Sequence, residues 1–265
     1  MQHLNPYFRE AGAGPGVVCI HSNASTSSQW RALMDCLSMR YRVFAPDSLG
    51  AGKSPAWPVD HLVTLRDEVA FLEPVFATAG EPFSLVGHSY GAAVALIAAL
   101  ARPDRIRALA LYEPTLFALL EEEAPGQEAA NGIRFAAADA AAAIDAHDSA
   151  AAAERFIDYW MGAGTWLQMP KARQIPIAAS MNDVRGWATA LFSEPTPLRA
   201  FRALDLPVLY MIGTRSPASS RGVARLLTST LANVTVIEFA GLGHMGPVTH
   251  PELVNAAVAD FLARN

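Results

Sequence analysis

The stretch that decides the fold runs Phe83-Ser84-Leu85-Val86-Gly87-His88-Ser89-Tyr90-Gly91-Ala92-Ala93-Val94-Ala95-Leu96-Ile97-Ala98-Ala99. Phe83–Val86 is a short, mainly apolar run of strand length, and Ala92–Ala99 is an unbroken run of helix formers and apolar residues. Between them stands Gly-x-Ser-x-Gly. A serine on so sharp a strand-to-helix turn needs a strained backbone, and glycines on both sides avoid collisions with the neighbouring strand and helix. The turn lifts the Ser89 hydroxyl clear of the sheet. It also puts the Tyr90 N–H at a helix N-terminus, where an oxyanion can be held. Strand, motif and helix in that order are the context in which this pattern points to a nucleophile.

Outward from this point, short β-rich runs alternate with helical stretches. Val17–Ile20, Tyr41–Ala45, Phe83–Val86, Ile106–Tyr112, Val208–Ile212 and Val234–Phe239 read as strands. Most are continuously apolar, as expected of strands covered on both faces. Trp30–Leu37, Leu65–Ala79, Tyr90–Ala101, Pro217–Leu231 and Pro251–Ala263 suit helices. Pro251 fits a first helical position, where its missing N–H is not needed. The alternation predicts an α/β fold with a mostly parallel, doubly wound sheet. Thr115–Leu206 interrupts it with no strand-like run. An acidic, Ala-rich portion (Glu121–Glu154) is followed by Phe156, Tyr159, Trp160, Trp166 and Trp187. We read 115–206 as a helical cap inserted into a core formed by 1–114 and 207–265. Trp160, Trp166 and Trp187 are its candidate substrate-pocket residues, because aromatics line apolar pockets.

Composition narrows the function classes. The chain has 265 residues, 52% hydrophobic and 17% charged, with a net charge of −5. This suits a single domain with a sizeable core. Without a long basic run, neither nucleic acid nor an anionic membrane surface is an expected partner. Cys19 lies in an apolar run, and two cysteines make no disulfide framework. Met1–Pro6 lacks the basic-then-apolar pattern of a leader, and no apolar stretch reaches the ~18 residues of a membrane span. A cytoplasmic location is therefore expected, and a homodimer is left open. Gly50-Ala51-Gly52-Lys53-Ser54 ends like a phosphate-binding loop, but its first half does not fit. No cofactor and no metal are expected.

Over essentially its whole length the chain resembles the α/β-hydrolase superfamily. The resemblance implies a sheet of about seven to eight strands, with the first strand absent if the short N-terminal region lacks it. It also implies the chain order serine, acid, histidine. His244, in Ala240-Gly241-Leu242-Gly243-His244-Met245-Gly246, is the expected base, while His250 precedes the last helix. His21-Ser22-Asn23-Ala24 resembles the family's oxyanion loop, with Ser22 where glycine is usual; the Asn23 N–H would join that of Tyr90. His21 and His88 read as structural neighbours. Asp47 reads as the organiser of the Gly-rich loop after it, and Glu238 should face away from the site.

The acid departs from the pattern. The loop where it is usual reads Gly213-Thr214-Arg215-Ser216-Pro217-Ala218-Ser219-Ser220 and holds no carboxylate, with Arg215 near the expected place. Glu113 stands 24 residues after Ser89, before Pro114. One set of haloalkane dehalogenases resembles this spacing, and their oxyanion loop resembles Asn23 and Trp30. Their carboxylate nucleophile is not matched by Ser89, which disfavours halide displacement and the aspartate route to epoxide opening. Two readings of Glu113 stand: triad acid, or a structural strand-end residue beside a dyad or water-assisted site. The expected chemistry is acyl transfer through an acyl-enzyme on an ester-like small molecule with a hydrophobic acyl or aryl group. Hydrolysis of C–C bonds, lactones or amides, perhydrolysis, and ligand binding without catalysis are the alternatives.

Overall fold

The computed structural model describes residues 5–56 and 62–265. Met1–Leu4, part of the stretch read for a leader, fall outside the described residues. Seven strands form one sheet in the order β1-β3-β2-β4-β5-β6-β7. They are β1 (Phe8–Ala11), β2 (Gly16–Ile20), β3 (Arg42–Pro46), β4 (Phe83–His88), β5 (Ile106–Tyr112), β6 (Val208–Gly213) and β7 (Val234–Phe239). All neighbours pair parallel except β1, which lies antiparallel on β3. This strand was not anticipated. Its four residues, Phe-Arg-Glu-Ala, form a half-exposed edge and give no apolar run.

Helices α1 (Arg31–Leu37), α2 (Leu65–Ala79) and α3 (Tyr90–Ala101) alternate with the early strands. Helices α4 (Ala118–Glu123), α5 (Glu128–Asp145), α6 (Ser149–Met161), α7 (Thr165–Gln168), α8 (Lys171–Ala179) and α9 (Met181–Phe192) follow one another between β5 and β6. Helices α10 (Ala218–Thr228), α11 (Gly246–Thr249) and α12 (Pro251–Leu262) complete the chain. Two apolar layers result. One face of the sheet packs with α1 and α12 through Leu33, Val254 and Val258. The other carries α2 and α3 and continues into the helices between β5 and β6.

Helix α3 is buried along Tyr90–Ala99, with the sheet below and α2 and α9 against it. That explains its near-uniform apolar sequence: a helix covered all round has no polar face. Thr64 and Asp67 form a capping box that fixes the start of α2. None of the helices among the described residues is long and apolar enough to cross a membrane.

The strand order places the site. From β2 the chain moves outward to β3, then returns across β2 to β4. The carboxyl ends of β2 and β4 thus form a topological switch point, where α/β sheets leave a crevice for ligands. Ile20 pairs with Gly87 and His88 with Tyr112. The loop holding Asn23, the turn at Ser89 and the strand end at Glu113 therefore emerge side by side.

Candidate active site

Ser89 sits between β4 and α3 with φ 56° and ψ −116°. Such a conformation costs a non-glycine residue about 1–3 kcal/mol and persists only where the surroundings enforce it. The flanking glycines show the crowding. A Cβ on Gly87 would lie 2.5 Å from Ala92 Cα, and one on Gly91 would lie 2.2 Å from the Ile20 carbonyl oxygen. As the first residue of α3, Tyr90 has an N–H without an intrahelical acceptor.

His244 lies in the loop after β7. Its Nε2 is 2.9 Å from Ser89 Oγ and its Nδ1 is 2.6 Å from Glu113 Oε2. All three residues are buried. A neutral imidazole protonated on Nδ1 donates to Glu113 and accepts from the serine hydroxyl. Glu113 has φ 47°. Its other oxygen, Oε1, accepts the Gly213 N–H at 2.9 Å and the Ser216 hydroxyl at 2.5 Å. The loop after β6, which lacks a carboxylate, thus supplies donors to the carboxylate of the adjacent strand. Arg215 is exposed, and its backbone N–H donates to the Leu242 carbonyl.

The imidazole is fixed from several sides. Trp160 of α6 stacks on it, ring centroids 4.0 Å apart. The Tyr112 hydroxyl donates to the Gly243 carbonyl, and His88 Nε2 donates to the carbonyl of His244 itself. His88 Nδ1 in turn accepts from Gln29 Nε2 at 3.1 Å. Gln29 Oε1 accepts both the N–H and the hydroxyl of Ser22. Ser22, in place of glycine, therefore joins a network from the loop after β2 to His244. Burial, followed by the neighbouring His244, holds the His88 pKa well below the ordinary histidine range, consistent with this neutral donor–acceptor role. No pattern in the sequence singles out Gln29 or Ser216, because their bonds to His88 and Glu113 join residues distant in the chain.

The other expectations sort plainly. Asp47 Oδ1 accepts the Ser27 N–H at 2.6 Å and Oδ2 accepts the Lys53 N–H at 2.9 Å, so it ties two loops together. His21 donates from Nδ1 to the Ser22 carbonyl and accepts the Ser48 N–H on Nε2. Glu238 is exposed. His250 forms the N-cap of α12 without a side-chain capping bond. A cavity of about 1160 Å³ opens on Ser89 and His244, with Asn23, Trp160, Phe117 and Ile133 among its walls. Trp166 and Trp187 are not part of that lining, which corrects the expectation for both. They face the helical core, buried to 5% and 1% exposure, and Trp187 packs on the Tyr90 ring.

Residues 15–251 match the family model described as the alpha/beta hydrolase fold. The chain belongs to the α/β-hydrolase family. Within it, the chain is 41% identical to an epoxide hydrolase from Caballeronia sordidicola over 112 residues, 40% of this chain and 33% of that protein. The match thus spans a third of that relative's length. A pimeloyl-[acyl-carrier protein] methyl ester esterase from Chromobacterium violaceum is 25% identical, with 98% of each chain covered. The α/β-hydrolase architecture extends to a thermophilic esterase structure from Thermogutta terrifontis, with a TM-score of 0.77 at 22% identity, covering 98% of this chain and 93% of that one.

One buried carboxyl in this α/β hydrolase bears on stability. Glu68 of α2 accepts the Leu49 N–H and the Tyr90 hydroxyl, both at 3.1 Å, behind the serine turn. Burial pushes its pKa up to about 7 despite these donors. The folded chain therefore keeps a proton that the unfolded chain releases near pH 4.5. The stability this contributes is complete below that pH and is lost as pH rises through about 7. Wild type should lose on the order of 3 kcal/mol relative to Glu68→Gln between pH 4.5 and 8, read from urea unfolding at each pH. The paired comparison subtracts the histidines. A difference that stays constant with pH would exclude a raised Glu68 pKa.

Proposed function

We propose that the protein is a serine hydrolase of the carboxylic-ester class, acting on an ester-like small molecule through an acyl-enzyme. The observation that carries this is the placement of His244 between Ser89 Oγ at 2.9 Å and Glu113 Oε2 at 2.6 Å. Ser89 attacks the carbonyl carbon while His244 Nε2 takes its proton. Glu113 holds the proton on Nδ1 and stabilises the imidazolium. The N–H groups of Asn23 and Tyr90 hold the tetrahedral oxyanion, a contribution worth ~3 kcal/mol per donor. His244 protonates the departing alcohol, then activates the water that attacks the acyl-enzyme. Trp160 lies over the imidazole, where its π-face favours the cationic form. In this reading residues 115–206 form a cap that screens the reaction from solvent, and 1–114 with 207–265 form the catalytic core. The apolar walls suit an acyl or aryl group. A cytoplasmic location belongs to the proposal and is supported by the two free cysteines, Cys19 and Cys36.

Partitioning tests the covalent intermediate. Two acetate esters with different leaving groups are hydrolysed in the presence of methanol. A common acyl-enzyme requires the same ratio of methyl acetate to acetate from both. Ratios that differ between the two esters would rule out a shared intermediate.

A further inference from the structure

Thr115 follows Glu113 and Pro114 at the carboxyl end of β5. It is 1% exposed and lines the cavity that holds Ser89 and His244. Its hydroxyl is buried and has no hydrogen-bonding partner among the described residues. The Phe117 N–H bonds the Thr115 carbonyl and leaves the hydroxyl unused. Asn23 Oδ1, on the loop after β2, is likewise buried, unpartnered and part of a residue lining this cavity. Because β4 lies between β2 and β5, these two residues flank the serine on either side. Three nearby hydroxyls are engaged: Ser22 by Gln29, Ser216 by Glu113 and Ser219 by Tyr159.

A buried hydroxyl or amide oxygen without a partner opposes folding, and such groups in native proteins call for an explanation. Both residues line the cavity that has to admit a substrate. We infer that Thr115 is a specificity residue that hydrogen-bonds an oxygen on the acyl group, so that the preferred substrates are esters of hydroxy- or oxo-acids. The inference rests on the acyl-transfer reading of Ser89 and narrows its substrate class. Neighbouring strands are ~4.8 Å apart. Three or four bonds from the scissile carbonyl carbon span that distance, which points to an oxygen on the third or fourth carbon of the acid. A plain alkyl acid would enter the same space and leave the Thr115 hydroxyl dry and unpaired. A site built to hydrogen-bond its substrate rejects the analogue lacking that group on this ground.

The test compares methyl butyrate, methyl 3-hydroxybutyrate and methyl 3-oxobutyrate on wild type, Thr115→Val and Thr115→Ser. Valine keeps the shape and removes the hydroxyl; serine keeps the hydroxyl. Relative to wild type, Thr115→Val should lower the preference in kcat/KM for an oxygenated ester over butyrate by about 10-fold or more, and Thr115→Ser should retain it. Comparing enzymes cancels the intrinsic reactivities of the esters. Binding of the same esters to Ser89→Ala, by calorimetry, should show the same order of affinity without turnover. An unchanged preference in Thr115→Val, or equal binding of the three esters to Ser89→Ala, overturns the inference. Hydrolysis that survives in Ser89→Ala would instead overturn the serine mechanism and leave the binding comparison standing.

Discussion

Ser89→Ala should lower kcat for a short p-nitrophenyl ester by about 10⁴-fold or more while the protein stays folded. The size follows from the roles assigned. Without Oγ no covalent bond to the carbonyl carbon forms, and what remains is binding plus the oxyanion donors. The substitution removes one buried oxygen whose partner is His244 Nε2. Alanine retains the backbone strain at φ 56° that the surroundings already impose. Urea unfolding should therefore shift by no more than about 1 kcal/mol. Unfolding and turnover measured on the same preparation separate a lost nucleophile from a lost fold. Retained hydrolysis in the folded variant would remove Ser89 from the mechanism.

Glu113→Gln should lower kcat by about 10²- to 10⁴-fold. Glutamine can keep Oε1 as acceptor for the Gly213 N–H and the Ser216 hydroxyl, which the carboxylate already uses. Its amide nitrogen then faces His244 Nδ1 and must donate to it. That forces the imidazole proton onto Nε2, which points at Ser89 Oγ. The base then carries its proton where it should receive one, and no negative charge offsets an imidazolium. KM should move far less than kcat, because Glu113 is absent from the cavity lining. A loss well below tenfold in kcat would assign Glu113 a structural role only.

The sheet and the serine turn were legible because both are local. Continuous apolar strands, a helix apolar on every side and two glycines around a serine are patterns of neighbouring residues. Strand β1 escaped because an edge strand of four residues with two charges carries no such pattern. Trp166 and Trp187 were placed at the pocket by residue type, whereas the rotation of their helices turns them into the helical core. For Glu113 the sequence offers two readings, and its partners are set by strand pairing that no local pattern reveals. The pairing of β5 with β6 sets its Oε1 against Gly213 and Ser216 and its Oε2 against His244. The network Ser22–Gln29–His88 was beyond reach for the same reason: its members meet only once β2 and β4 lie side by side.

The measurement closest to the proposed nucleophile is covalent labelling with a fluorophosphonate, read by mass spectrometry of the digested protein. The expected result is a single adduct on Ser89, formed in wild type and strongly slowed in His244→Ala. An enzyme that turns over esters yet stays unlabelled, or that carries the adduct on another residue, would contradict the assignment of Ser89.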